Sequence, residues 1–458
     1  MKKLFIYFSL LIALTFLAKS DVRVESFNDS SIPILHIRTE DSAEILSREE
    51  YIRCTVDVYN CSSNYAFDNA AANVKVRGNT TAHHGDPEQI REKGAPYRLQ
   101  FDRKINILGL NDEALCRSWV LLQTSSGVIS PDSFVFHMGQ NILGDGQFCS
   151  DSRYVQLFIN NTFRGLYLLC EQSQVQENRV NIHEPQAGET SVHTGYFLEI
   201  DNYATKEPDN VYFPMHYAGA TITDINGVTR TFRPTFYSIK SSVTVPEQAD
   251  FIADRINGIF TALYEACING RYMILDEQNH LHDSPFTSAY EVADALVDLD
   301  SVVNMYILYE IIHDYDIGDG SFYMSVDLSP GSANRKLQFT CPWDFTWGFG
   351  DAPAGQYYAG TFCTQEFMDV AGDRSNPWFV LLMTQDWFLS LVKERWTQLR
   401  IDGGLQESLD AEMAFLQTHI ETLNAISEVG IHVAEYLYNW LNERIQWLDS
   451  EWLINPAA

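Results

Sequence analysis

Apolar and polar residues alternate with period two through much of the first two hundred positions. Short runs at 34–38, 56–59, 74–77 and 97–101 each read as strands, separated by Asn, Gly and Pro. Two further runs, 154–159 and 165–169, flank Asn160 and Asn161, a pair suited to a hairpin turn. The run 195–200 continues the strand pattern, and 201–235 reads as polar loops around short strands. Beyond Pro246 the period changes. Apolar residues recur at helical spacing over 249–268, 301–312, 378–400 and 405–452. The pattern therefore predicts an α+β protein, with a β-rich N-terminal part over 21–240 and a helix-rich C-terminal part over 241–458.

Residues 1–20 stand outside that pattern. Met1, Lys2 and Lys3 precede an apolar run from Leu4 to Leu17, and Ala18, Lys19 and Ser20 follow. That order predicts a secretory signal peptide, with an uncleaved anchor as the alternative; the apolar run is short for a membrane span. The expectation is an exported chain that does not stay inserted in a membrane. Eight cysteines (54, 61, 116, 149, 170, 267, 341 and 363) suit export, and an even count suggests disulfides. Cys54 and Cys61 are the easiest pair to imagine; free buried thiols are the alternative. Asn28, Asn60, Asn79 and Asn160 each open an Asn-x-Ser/Thr sequon, so glycans are expected if the host adds them.

The net charge of −30 argues against nucleic acid as a partner, and no basic stripe offsets it. Hydrophobic residues at 45% place the chain among globular rather than disordered proteins. The densest chemistry lies at 313–350. His313, Asp314, Asp316 and Asp319 precede a strand-like run at 322–326, and a second at 337–340 leads to Trp343, Asp344, Phe345, Thr346 and Trp347. A hairpin between the runs would bring Asp316 and Asp344 together. Paired carboxylates suit Mg²⁺ or Mn²⁺, and phosphoryl transfer needs such a cation plus an acid that orients the attacking hydroxyl. Ser321 lies five positions after Asp316, the spacing at which protein kinases place a metal ligand after their catalytic acid. A solvated turn is the competing reading; a calcium loop lacks the required Glu.

Several segments resemble the spore-coat CotH kinase-like family. They include Val74 to Thr81 with Arg77, Gly78 and Asn79; Lys93 to Lys104 and on to Gly109; and Tyr154 to Ile182 with Arg164, Gly165, Glu171 and Arg179. The blocks around Gly195 and Tyr237, the 313–350 cluster, and Pro377 to Trp396 continue the resemblance. It implies an atypical protein-kinase-like, two-lobed fold. It also implies ATP, a divalent metal and transfer of the γ-phosphate to Ser/Thr hydroxyls of a protein substrate. Asp316 falls where the family has its catalytic acid. Asp344 falls on the first acid of its Trp-Asp-Phe-Asp motif, a metal ligand, with Asp314 and Ser321 beside it. Thr346 replaces the second acid of that motif, so a non-catalytic surface or coat-associated binding protein is the alternative. Lys93, Arg98 and Lys240 are the candidate cations over the phosphates, with Glu171, or Glu199 behind it, as the acid that holds one of them. Arg77, Gly78 and Asn79 are expected to shape a turn, and the aromatic run 343–349 to anchor its loop.

Overall fold

The computed structural model describes residues 32–454 except 125–129, 145, 208, 218–220, 226, 315, 346, 350–373 and 428–430. The expected signal peptide, Asn28, Thr346 and Cys363 lie outside the described residues. Seven strands at the front form a closed barrel: β1 (Ile34–Thr39), β2 (Ile52–Tyr59), β3 (Phe67–Val76), β4 (Tyr97–Ile105), β5 (Cys116–Gln123), β6 (Ser152–Ile159) and β7 (Thr162–Glu171). Their spatial order is 1-2-3-4-5-7-6, and β1 closes the ring by pairing parallel to β6. Asn160 and Asn161 turn the β6–β7 hairpin with φ of 51° and 65°, a backbone that Asn tolerates better than most residues.

The alternation of period two is spent on two different cores. Val74, Val76, Leu99, Trp119, Leu121 and Leu169 point into the barrel. Val120, Tyr154, Leu166, Leu168 and Cys170, one position out of phase, pack outward against the helices. The expected lobes are thus a barrel and a helical mass sharing one wall. The fold is α+β with a β-rich front, as expected, and that front closes into a barrel.

A second sheet, of order 16-15-8-12-9, joins strands from both sides of residue 240. It combines β8 (Gly195–Ile200), β9 (Tyr212–Pro214) and β12 (Phe236–Ile239) with β15 (Phe322–Asp327) and β16 (Gln338–Thr340). Between them in the chain come two small hairpins, β10 (Thr221–Thr223) with β11 (Thr229–Thr231) and β13 (Met273–Leu275) with β14 (Leu281–Asp283).

The helices are α1 (Pro87–Lys93), α2 (Pro131–Leu143), α3 (Pro246–Asn269), α4 (Ala289–Leu296), α5 (Leu299–Ile312), α6 (Pro377–Leu382), α7 (Asp386–Asp402), α8 (Gly404–Ser427) and α9 (Ile431–Trp452). The expected helix over 378–400 is two helices, because Asn376 caps α6 and the chain turns at 383–385 before α7 begins. The expected segment 405–452 is likewise α8 and α9. Central to them is α5, buried on every side except at Asp300, as a helix apolar all round must be. Among the described residues, no helix is long and apolar enough to cross a membrane.

The seven described cysteines are free thiols, which corrects the expected Cys54–Cys61 bridge. Cys54 enters the barrel core on β2, and the strand runs extended to Tyr59 before the turn that holds Cys61. Of the sequons, Asn160 holds Thr39 through its side-chain amide, and Asn79 accepts from Arg48 at 3.2 Å.

One buried ion pair ties α9 to α5. Arg444 donates from Nε to the Glu310 carbonyl at 2.8 Å and from Nη2 to its carboxylate at 3.1 Å, with both side chains out of solvent. Removing one member strands the other charge in the core. Arg444→Met is expected to lower the unfolding free energy by about 3–5 kcal/mol in denaturant titration; a loss under ~1 kcal/mol would show that the pair carries no structural weight.

Candidate active site

The site begins where α5 ends. His313 adopts φ +54° at the helix C-terminus and turns the chain out into the acidic loop, so that Asp314, Asp316 and Asp319 follow one another round a tight bend. Asp314 accepts from the Asp316 amide at 3.0 Å, and the Asp319 amide donates to the Asp316 carbonyl at 2.9 Å. Ser321, at φ +53°, leads into β15. β15 pairs antiparallel with β16, Tyr323 opposite Thr340, and the returning chain passes Cys341 to Asp344 at φ +59°. Non-glycine residues in this left-handed region cost energy and cluster at functional sites.

Asp344, beyond the returning strand, stands near enough for its charge to act on the acids of the loop. Burial pushes Asp316 up to about 6; Arg374 partly offsets this, and the charges of Asp319 and Asp344 add to it. Asp314, buried outright, is held well above the usual carboxylate range by burial, by Asp316 and by Asp344. A fourth acid joins them, Asp132 in the first turn of α2. Burial raises it to about 6, the Ser130 hydroxyl pulls it back, and Asp344 pushes it further.

Cations border this cluster on two sides. Arg374 reaches Asp316 at 2.7 Å and Asp319 at 3.9 Å, with its guanidinium over the Trp347 ring. Asp319 is buried and also receives Asn202 at 2.6 Å and Arg233 at 3.2 Å; its Oδ1 finds no hydrogen-bond partner among the described residues. On the barrel side Arg77, just past β3, lies 5.1 Å over the Trp343 ring, and its charge reaches Asp132 and Tyr323. Trp343, Phe345 and Phe349 are buried, the first two against Phe136 of α2, so the aromatic run anchors its loop as expected and also seats the two arginines.

The second sheet supplies a lysine and its acid. Lys240, immediately after β12, contacts Glu199 at 2.8 Å, Asp201 at 3.4 Å and Glu207 at 3.6 Å. Burial lifts Glu199 to about 7 against the pull of Lys240, and these acids hold the lysine charged, its pKa above normal. Tyr323 of β15 hydrogen-bonds the same Glu199. Asp201 precedes Asn202, so a polar chain runs from Lys240 through Asp201, Asn202, Asp319 and Arg374 to Asp316.

The role expected of Glu171 needs correction. Glu171 holds none of the proposed cations: it is fully buried against Arg179 Nε at 3.1 Å and accepts from Asn111 Nδ2 at 3.0 Å. The end of β7 carries it under the loop that bears Arg179, so Glu199 is the acid that holds a lysine. Lys93 sits exposed at the end of α1, bonded to Gln89 of its own helix. Arg98 lies on the outer wall of β4 beside Arg77 and Lys75. Ser321 makes no hydrogen bond to the acids among the described residues. Sequence reasoning missed Asp132, Arg77, Arg233 and Arg374. Arg77 stands in the Arg-Gly-Asn segment already singled out; nothing in the pattern marked the other three.

Among the described residues, no three His, Cys, Asp or Glu side chains stand as a ready metal cage. The donor chemistry nonetheless fits a hard divalent cation: several carboxylates crowd together, two carry raised pKa values of about 6, and one buried oxygen is orphaned. A cavity of about 550 Å³ is lined elsewhere, by Lys104, Asn111, Asp112, Glu113, Leu115 and Glu177 among others.

Residues 272–448 match the family model described as CotH kinase protein, and the chain thus carries a CotH-family segment, in keeping with the resemblance of its motifs. That segment contains α5, the acidic loop, the β15–β16 hairpin and Asp344; the barrel, Lys240 and Glu199 precede it. No curated protein matches the chain.

The raised carboxylates make a signed prediction for the chain in chelator. Asp316 binds its proton more tightly folded than unfolded, so its contribution is present below pH ~4 and is lost as pH rises through about 6. Asp316→Asn removes that loss, and its melting temperature is expected to overtake the wild type's across that window. Parallel pH profiles for the two proteins would contradict the crowding of charge.

Proposed function

We propose that the protein is an exported CotH-like kinase that transfers the γ-phosphate of ATP to Ser/Thr hydroxyls of a protein. What supports this reading is that Asp344, past the β15–β16 hairpin, lies near enough for its charge to act on Asp316 and Asp314. Asp344 and Asp314, with Asp132 beside them, would hold Mg²⁺ or Mn²⁺, which supplies neutralisation of the phosphate charge. Asp316 orients the acceptor hydroxyl and takes its proton as the oxygen bonds to the γ-phosphorus; the bond from that phosphorus to the bridging oxygen breaks and ADP departs. Arg374 fixes the carboxylate of Asp316 in place. Lys240, held by Glu199 as a kinase lysine is held by its glutamate, and Arg77 face the phosphates.

A second reading rests on Thr346. Where the family motif has a second acid, this chain has a hydroxyl, so a fold kept for binding without catalysis is the alternative.

The test is transfer of labelled γ-phosphate in Mg²⁺ or Mn²⁺, comparing wild type with Asp316→Ala and Asp344→Ala. Label on the protein or on an added substrate, lost at least ~100-fold in both variants, is the expected outcome. No label, together with no rise in melting temperature on adding ATP and Mn²⁺, would favour the binding protein, since a ligand of the folded state must stabilise it.

A further inference from the structure

In a chain of net charge −30, the outer wall of the barrel carries a row of cations that form no ion pair among the described residues. Lys75 on β3 stands directly opposite Arg98 on β4. Their neighbours Val74, Val76, Tyr97 and Leu99 point into the barrel core, which fixes both cations on the outside. Like charges directly opposed across an antiparallel pair are destabilising. Arg48 and Arg77 extend the row at either end, since the charge of Arg48 reaches Lys75 and that of Arg77 reaches Arg98. Among the described residues none of Arg48, Lys75 and Arg98 makes an ion pair; the single carboxylate whose charge reaches Lys75 is Glu49. The Arg98 Nε is shielded from solvent without a hydrogen-bond partner, while Lys75 rests over the Tyr51 ring at 4.9 Å.

The same wall shows how the chain treats a cation that serves structure alone. Arg53 on β2 is clamped by Asp102 through two contacts at 2.5 and 2.6 Å. A protein with 61 acidic residues has no shortage of partners, so an opposed pair of cations without a carboxylate clamp among the described residues breaks a local rule, offset only by the Tyr51 ring and the charge of Glu49. Such breaks mark functional positions. The row also has a direction. Arg77, its inner end, stacks on Trp343, the residue before Asp344.

We propose that the Arg48–Lys75–Arg98 row docks an acidic segment of the acceptor protein, so that this kinase selects hydroxyls lying near runs of carboxylate or phosphate. Lys75 and Arg98 bind two anionic groups side by side, and Arg48 takes a third farther from the site. This docking role rests on the kinase reading only for its purpose, because binding to the row needs neither ATP nor catalysis.

The probe is a short fluorescent peptide with one serine among aspartates, read by anisotropy on the full-length chain in low salt and without nucleotide. Wild type and Asp316→Asn are expected to bind it alike. Lys75→Gln and Arg98→Gln are expected to weaken binding at least ~5-fold, Lys75→Arg to restore it, and Lys393→Gln, an equal loss of charge on α7, to leave it within ~2-fold. Because Lys75→Gln relieves repulsion, its melting temperature should hold or rise, which separates docking from a structural role. With an active enzyme, the same variants raise KM for the peptide and leave KM for ATP unchanged. Equal binding by the row variants, equal binding of an uncharged analogue, or displacement by ATP alone would each overturn the proposal. Peptide binding without any phosphate transfer would instead remove the kinase reading and leave the docking row standing.

Discussion

Everything distinctive about this molecule follows from carboxylates gathered at the edge of its core, from the buried Asp314 to the exposed Asp344. Asp132, Asp314, Asp316 and Asp344 come from three separate stretches of chain, and each repels at least one other. Such a cluster persists only if the surrounding packing over-determines it. The packing is there: α5 is buried nearly all round, Phe136 wedges against Trp343 and Phe345, and Arg444 pins the same helix from behind. Rigidity bought in the core is what allows charge to be crowded at its edge.

The two sheets divide the work. The barrel is a closed, self-sufficient wall that leaves no sheet edge exposed, and it presents cations outward. The second sheet carries both acid and base, with the Lys240–Glu199 pair on β12 and β8 and the acidic loop at the head of β15. Asn202, which bonds Asp319, follows Asp201, which bonds Lys240, so the two groups are anchored on adjacent residues.

Much of this was legible in the chain because it depends on local signals. Period-two runs located most of the strands, and the helical period after Pro246 located α3 and α5. What could not be read was pairing over distance. Nothing near Glu171 says that Arg179 will claim it, and that contact is settled by a loop of irregular backbone. Asp132 looks like an ordinary acid in the first turn of a helix, where the helix dipole already explains it. Arg374 and Arg233 are remote in sequence from the acids they serve. Closure of the barrel was equally hidden, since one parallel pairing between β1 and β6 decides it and period-two strands fit an open sheet as well.

The make-up of the second sheet has a practical side for anyone who cuts this chain. All six residues of β15 pair with β8, which lies far upstream of residue 272. The stretch recognised by the family model is therefore not a portable module. Expressed alone, it would expose the backbone of β15 as a raw edge, an invitation to stick to its own copies. The matched stretch and the unit that folds do not coincide here.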